Sequence, residues 1–330
     1  MLTAPSQDES PAVYADWLEF RAVARGVAAF SELARAWDEE YGEEDIPDMD
    51  VLAEESVNSI SNEIEKRKRI LGEAYPFEVN NQRILLANDV TEEQSAYLLC
   101  LYLSSAETHI INQDITDAER RLFQVISTIS ASGYFNADSI WFGFPRPTRD
   151  GFHTALKSVF RHRIKEGSVL DAPRPGANLK LKDGEIDIIV HKNMNDELPG
   201  QLFFYGQVAS GANYHNKPLS REKIGSVHVE WFDLPPTSDF LRGIFIPFCS
   251  WHQIEGNLGL DALRTKMCVE SIVYGLVFSR YRIPFYMHTI LKKMREDSLG
   301  IQVDGLNEIG QVKEWGITFI AQMQEAHNAA

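Results

Sequence analysis

The segment from Asp183 to Lys217, DGEIDIIVHKNMNDELPGQLFFYGQVASGANYHNK, constrains this chain more than any other stretch. Ile186 to Val190 and Leu202 to Tyr205 are rich in β-branched and aromatic residues, and a polar stretch ending in Pro199 and Gly200 separates them. They read as the two buried strands of a hairpin. On the first strand Asp183, Glu185 and Asp187 alternate with Gly184, Ile186 and Ile188, so the three acids are expected on one face and the isoleucines on the other. Gln207 ends the second strand, and Lys217 follows ten residues later, just before a Pro218 able to open a helix. The spacing predicts that a carboxylate, a side-chain carbonyl and an ammonium group meet at one end of a two-stranded sheet.

That arrangement resembles the active site of the PD-(D/E)xK nuclease superfamily, in which an acid on one strand and an acid or Gln on the next hold a divalent metal. Asp187 and Gln207 stand at the matching positions. The family places its Lys two residues after the second ligand, and here that position is Ala209; some members carry the Lys on the following helix, for which Lys217 is the candidate. The run GQVASGANYHNK is similar to one found in a bacterial restriction-like and defence-related subgroup. The resemblance is strong over about 35 residues and weaker over about 130. It implies an α/β (α+β) fold: a restriction-endonuclease-like mixed central sheet flanked by helices, with helical N-terminal and C-terminal extensions.

The chemistry implied is Mg²⁺- or Mn²⁺-dependent hydrolysis of a DNA phosphodiester. Mg²⁺ is a hard cation that takes oxygen ligands and keeps several waters, one of which, made more acidic, attacks phosphorus. Asp187 and Gln207 would hold it, aided by the carbonyl of Val208 and by Glu185, while Lys217 stabilises charge developing on the phosphate. In the family a Glu on a preceding helix reaches the metal; the matching residue here is Gln124, and the missing negative charge lowers the expected affinity. Arg161, Arg163, Asn213, Tyr214 and Arg221 are the expected substrate contacts, with His215 accessory. The competing expectation is a catalytically degenerate nuclease-fold scaffold or partner-binding subunit, favoured by Ala209 and by Gln at both 124 and 207. No G-x-S-x-G elbow and no HExxH or clustered Cys/His occurs, which argues against serine and zinc chemistry.

Charge qualifies the DNA reading. The net charge is −16, yet residues 1–115 hold 24 acidic and 8 basic side chains, while the rest hold 24 of each. All of the excess is N-terminal, so a neutral nuclease-like half can meet a phosphate backbone while the acidic half faces elsewhere. The expected division is an acidic, mostly helical region at 1–115 that engages a protein partner (ATPase, helicase or sensor) or a second copy, a nuclease-like core at 116–255, and a helical region at 256–330 packing on that core. The N-terminal residues lack a signal-peptide pattern and no run of eighteen apolar residues occurs, so a cytoplasmic protein with no membrane contact is expected. Cys100, Cys249 and Cys268 are far apart in apolar surroundings and are expected to be buried, reduced thiols.

Along the chain, residues 11–37 read as amphipathic helix with Gly26 as a weak point. The acidic run 38–50 reads as a solvated loop, and 49–71 as a helix whose basic end, Lys66 to Arg69, suits its dipole. A small hairpin is expected to turn at Asn80-Asn81, and Thr91 with Gln94 and Thr116 with Glu119 read as capping boxes. The segment WFGFPRPT is a turn whose Trp141, Phe142 and Phe144, beside Arg146 and Arg149, either pack between units or stack on nucleic acid. Residues 151–168 form the most basic helix, with Phe152, Leu156 and Phe160 inward. His191, His215 and His252 flank the expected site, and Gln253 and Glu255 carry no assigned role.

Overall fold

The computed structural model describes residues 2–329 apart from 8, 42–48, 113, 195, 197 and 250–259. Helix α1 (Pro11–Arg25) carries a proline in its first turn and stops at Gly26, whose φ of 79° lies in the left-handed region open to glycine. The single helix expected over 11–37 is therefore two. The chain turns there into β1 (Val27–Ala29) before resuming as α2 (Glu32–Tyr41), because the three-residue strand finds a partner further on. Next come α3 (Met49–Leu71), β2 (Phe77–Asn80) and β3 (Arg83–Leu86), which with β1 make an antiparallel three-stranded sheet. The β2–β3 turn falls one residue later than expected, on Asn81 and Gln82, both at positive φ as a tight primed turn requires. Both capping boxes form as predicted, opening α4 (Glu92–Thr108) and α5 (Asp117–Phe135).

The second half runs β4 (Asp138–Trp141), α6 (Phe152–Ser158) continuing into a wider π turn at Val159–Ile164, β5 (Ser168–Val169), β6 (Ile188–Lys192), β7 (Leu202–Val208), α7 (Arg221–Trp231), β8 (Phe232–Leu234), β9 (Phe240–Phe245), α8 (Leu260–Tyr274), β10 (Leu276–Phe278), α9 (Ile283–Arg295) and α10 (Ile309–Asn328). The architecture is mixed α/β. Its central sheet has strand order β10-β9-β7-β6-β4, with β4, β6 and β7 antiparallel and β7, β9 and β10 parallel. The hairpin read from sequence is its centre. Alternation along β6 and β7 divides two cores: Ile188, Val190 and Phe204 join the layer of α5 and α9, while Ile189, Phe203 and Tyr205 join Phe152, Leu156, Phe160, Ile224 and Trp231 from α6 and α7. The outer edge of β4 is covered by residues 302–304, which exchange backbone bonds with Ser139.

β10 comes from the region expected to be only helical, so the sheet draws one of its edges from beyond residue 255. α10 packs against α1, α4 and α5, and one apolar core runs continuously from Val13 through the sheet to Met323. Where α1, α3 and α4 meet the end of β10 lies a buried ionic cluster. Arg67, with 0% exposure, pairs with Asp16 (2.8 Å), Glu19 (2.9 Å) and Glu63 (3.2 Å), and Arg280 pairs with Asp16 (2.6 Å). Tyr75 and Tyr97 donate to Glu19, and Tyr281 donates to Glu63. The basic run at the end of α3 is thus more than a solvated dipole partner. Burial pushes the Glu19 carboxyl above its usual range, against the pull of Arg67. Cys100 and Cys249 are buried as expected, but Cys268 on α8 is exposed. Among the described residues no helix is long and apolar enough to cross a membrane.

Candidate functional site

The paired ladders end at Ile188↔Gly206 and Trp141↔Ile188; just beyond them the Asp187 amide donates to the Gly206 carbonyl at 2.9 Å, so Asp187 leaves the regular register beside Gln207. Asp187 and Gln207 thus lie at the same end of the β6–β7 hairpin, where the Val208 amide ties β7 to Asp187.

Asp187 is held from three sides. Its Oδ2 accepts a 2.7 Å bond from the Val208 amide. Its carbonyl oxygen accepts from the amides of Phe142 (2.9 Å) and Gly143 (2.8 Å) and from the Gln124 side chain (3.2 Å). A Cβ on Gly143 would lie 2.5 Å from Asp187 Oδ1, so only glycine lets the loop after β4 approach this closely. Burial pushes the Asp187 carboxyl up to about 7, the Val208 amide opposes this, the charge of Asp183 adds to it, and the Lys217 ammonium pulls it back. Gln207 is 5% exposed, and among the described residues its Oε1 has no hydrogen-bond partner. A buried carbonyl without a donor costs roughly 1–3 kcal/mol, so this oxygen is available to a donor or a cation.

The remaining expected residues divide. Lys217 is exposed at the end of a short 3-10 turn (Ala212–Asn216), and its charge acts on Asp187 without a direct bond. Glu185 does not share a strand face with Asp187. The stretch 183–187 is a turn in which Gly184 and Glu185 both have φ near 66°, and the Glu185 carboxylate pairs with Lys223. Asp183 is the nearer acid electrostatically; its own oxygens accept from the amides of Glu185 (2.9 Å) and Phe144 (3.3 Å). Gln124 reaches the site through the Asp187 backbone rather than through a ligand position.

Tyr214, expected to touch substrate, is 2% exposed and stacks on Phe248 at 5.5 Å, because the aromatic ring completes a small core with Ile244, Ile246 and Tyr274. Arg163 turns away to Asp304 at 2.8 Å. Arg221 pairs with Asp239 at 3.4 Å and lies over the Phe240 ring, yet remains largely exposed. Arg161, Asn213 and His215 are exposed. His191 is buried at the opposite end of β6, in register with Asp138. His252, Gln253 and Glu255 lie outside the described residues, as does most of the acidic run between α2 and α3.

The sequence reading missed Gly143 and Arg120, and it named Asp183 only as a third acid on the strand, without a role. Arg120, exposed on the first turn of α5, reaches Ser210 Oγ at 3.3 Å in the loop after Gln207. Its place beside that loop depends on how α5 crosses the sheet, which local sequence does not encode.

An oxygen set of Asp187 Oδ1, Gln207 Oε1 and the Val208 carbonyl matches the preference of a hard divalent cation. Among the described residues no group of three or more His, Cys, Asp or Glu is arranged to hold a metal by itself. Comparison with protein-family models, with curated proteins and with solved structures found no match.

Proposed function

We propose that this chain is a divalent-metal-dependent DNA endonuclease with a restriction-endonuclease-like core, acting as the nuclease subunit of a prokaryotic anti-phage defence or restriction-type system. The observation that carries the reading is the buried Gln207 Oε1, without a hydrogen-bond partner among the described residues, at the same end of the hairpin as Asp187. Asp187 Oδ1, Gln207 Oε1 and the Val208 carbonyl would hold Mg²⁺ or Mn²⁺. When bound, the metal supplies positive charge and a more acidic water at the scissile phosphate. The Val208 amide holds Asp187 Oδ2, which leaves Oδ1, beside Gly143, as the oxygen that would meet the metal. Lys217 would place its ammonium against the phosphate oxygens as they gain charge. Arg120, Arg161 and Arg221, all exposed, would neutralise flanking phosphates.

The test is cleavage of supercoiled plasmid in Mg²⁺ or Mn²⁺ by the wild type, Asp187→Ala and Lys217→Ala. Loss in both variants with retained folding supports the mechanism. Equal cleavage by all three removes it.

A second reading, a scaffold of the same fold without activity, is favoured by Ala209, which is 2% exposed where the family carries Lys, and by the Gln124 amide bonding to backbone. Calorimetric titration with Mn²⁺ separates the two. A working site binds the metal and loses it in Asp187→Ala, whereas a scaffold takes up none.

A further inference from the structure

Beside the site lies a cleft of about 340 Å³ between the end of β4, α6 and the segment 303–307. One wall is Phe142, whose amide donates to the Asp187 carbonyl. The Arg146 guanidinium lies over the Phe142 ring at 4.7 Å; the residue is 3% exposed, and its Nε is without a partner among the described residues. Asn307, exposed at the rim, offers an amide, and Asp304 offers carboxylate oxygens. Ile140, Val159 and Val303 supply apolar surface.

Charge decides what fits. Arg163 is matched by Asp304 at 2.8 Å, and Arg146 sits in the field of Asp183, Asp150 and Asp187. With those acids against two arginines, a phosphate would meet no net attraction. A neutral ring would meet apolar surface from Val159 and Val303, a guanidinium plane, a buried N–H donor and an amide able to pair with two edge atoms. Those are the groups that read an unstacked base, and an amide pairing bidentately suits adenine.

We infer that this cleft binds a single unstacked purine base of the substrate strand, so that the chain acts on single-stranded or locally opened nucleic acid. The identity of the ligand rests on the nuclease reading, whereas the cleft itself does not. Seating a base here would fix the adjacent phosphate near Asp187 without any duplex.

The experiment titrates adenosine, with ribose 5-phosphate as control, by saturation-transfer NMR against wild type, Ser158→Trp, Asn307→Ala and Asp187→Ala. Anisotropy of a labelled single-stranded oligonucleotide and its duplex is read on the same proteins. Ser158 and Asn307 are exposed at the rim, and Asn307→Ala removes only the amide, so one variant remains informative if the other misfolds. Adenosine should bind and ribose 5-phosphate should not. Both rim variants should weaken adenosine and single-strand binding about tenfold while Mn²⁺ uptake stays unchanged. Asp187→Ala should do the reverse. No adenosine signal at millimolar concentration, or rim variants that leave single-strand affinity unchanged, overturns the inference whatever the plasmid assay shows. Adenosine binding by a protein that cleaves nothing would instead retain the cleft and reject the nuclease reading.

Discussion

The amide of Val208 donates to Asp187 Oδ2 at 2.7 Å across the β6–β7 hairpin. That bond holds the carboxylate from the neighbouring strand by Oδ2, while Oδ1 lies against Gly143 in the loop after β4. Asp187→Asn can keep an acceptor for this amide while removing the charge. Melting temperature should therefore hold within a few degrees, while Mn²⁺ uptake and plasmid cleavage fall at least a hundredfold; thermal denaturation and calorimetry on one preparation check it.

Lys217 is exposed and acts on Asp187 only through its field. Its removal should leave stability untouched, because a solvated side chain with no hydrogen-bond or ion-pair partner among the described residues contributes little to folding. Loss of one group that stabilises developing charge lowers turnover by about 10²–10³-fold. Single-turnover rates of Lys217→Ala and Lys217→Arg measure this, with partial recovery expected in the arginine variant.

Gly143→Ala tests the close approach of the β4 loop. The added methyl would sit 2.5 Å from Asp187 Oδ1, so the carboxylate or the loop must move. Metal uptake should weaken about tenfold or more although no ligand has been changed, read by the same Mn²⁺ titration.

His228 gives a pH signature away from the site. Burial pushes its imidazole down to about 4, and Tyr205 is its hydrogen-bond partner at 3.3 Å. Between pH 6.5 and 4 the unfolded chain binds a proton that the folded chain refuses, so stability rises with pH through this window and is lost as pH falls through it. The contribution is at most ~3 kcal/mol, less what partial exposure restores. Urea midpoints from pH 7 to 4 should slope downward in the wild type and flatten in His228→Gln.

The ionic cluster predicts a large stability effect. Arg67→Met leaves Asp16, Glu19 and Glu63 short of one cation in a dry interior, which costs about 3–5 kcal/mol. Glu19→Gln should cost less, since burial already raises its carboxyl toward the neutral form. Urea unfolding of the two variants ranks them.

The central hairpin was legible because β-branched and aromatic runs name buried strands, while its register was not, since pairing depends on the turn between them. The capping boxes were legible because they are local. Gly143 was not, since its importance exists only once β4 pairs with β6. Glu185 was misplaced because a strand alternation was extended through residues that adopt positive φ, a conformation that non-glycine residues enter only in turns. Arg163 read as a free cation because Asp304, its partner, lies far along the chain. Arg67 hid in a basic run, its three acids split between α1 and α3.

The placement of α10 carries a consequence for biogenesis. Because that late helix leans on α1 and α4, the first helices to emerge during translation have no complete layer to join. The acidic leading half must wait, with apolar surface uncovered, until the trailing helix is released. Premature termination anywhere before α10 would leave an aggregation-prone fragment rather than a smaller folded protein.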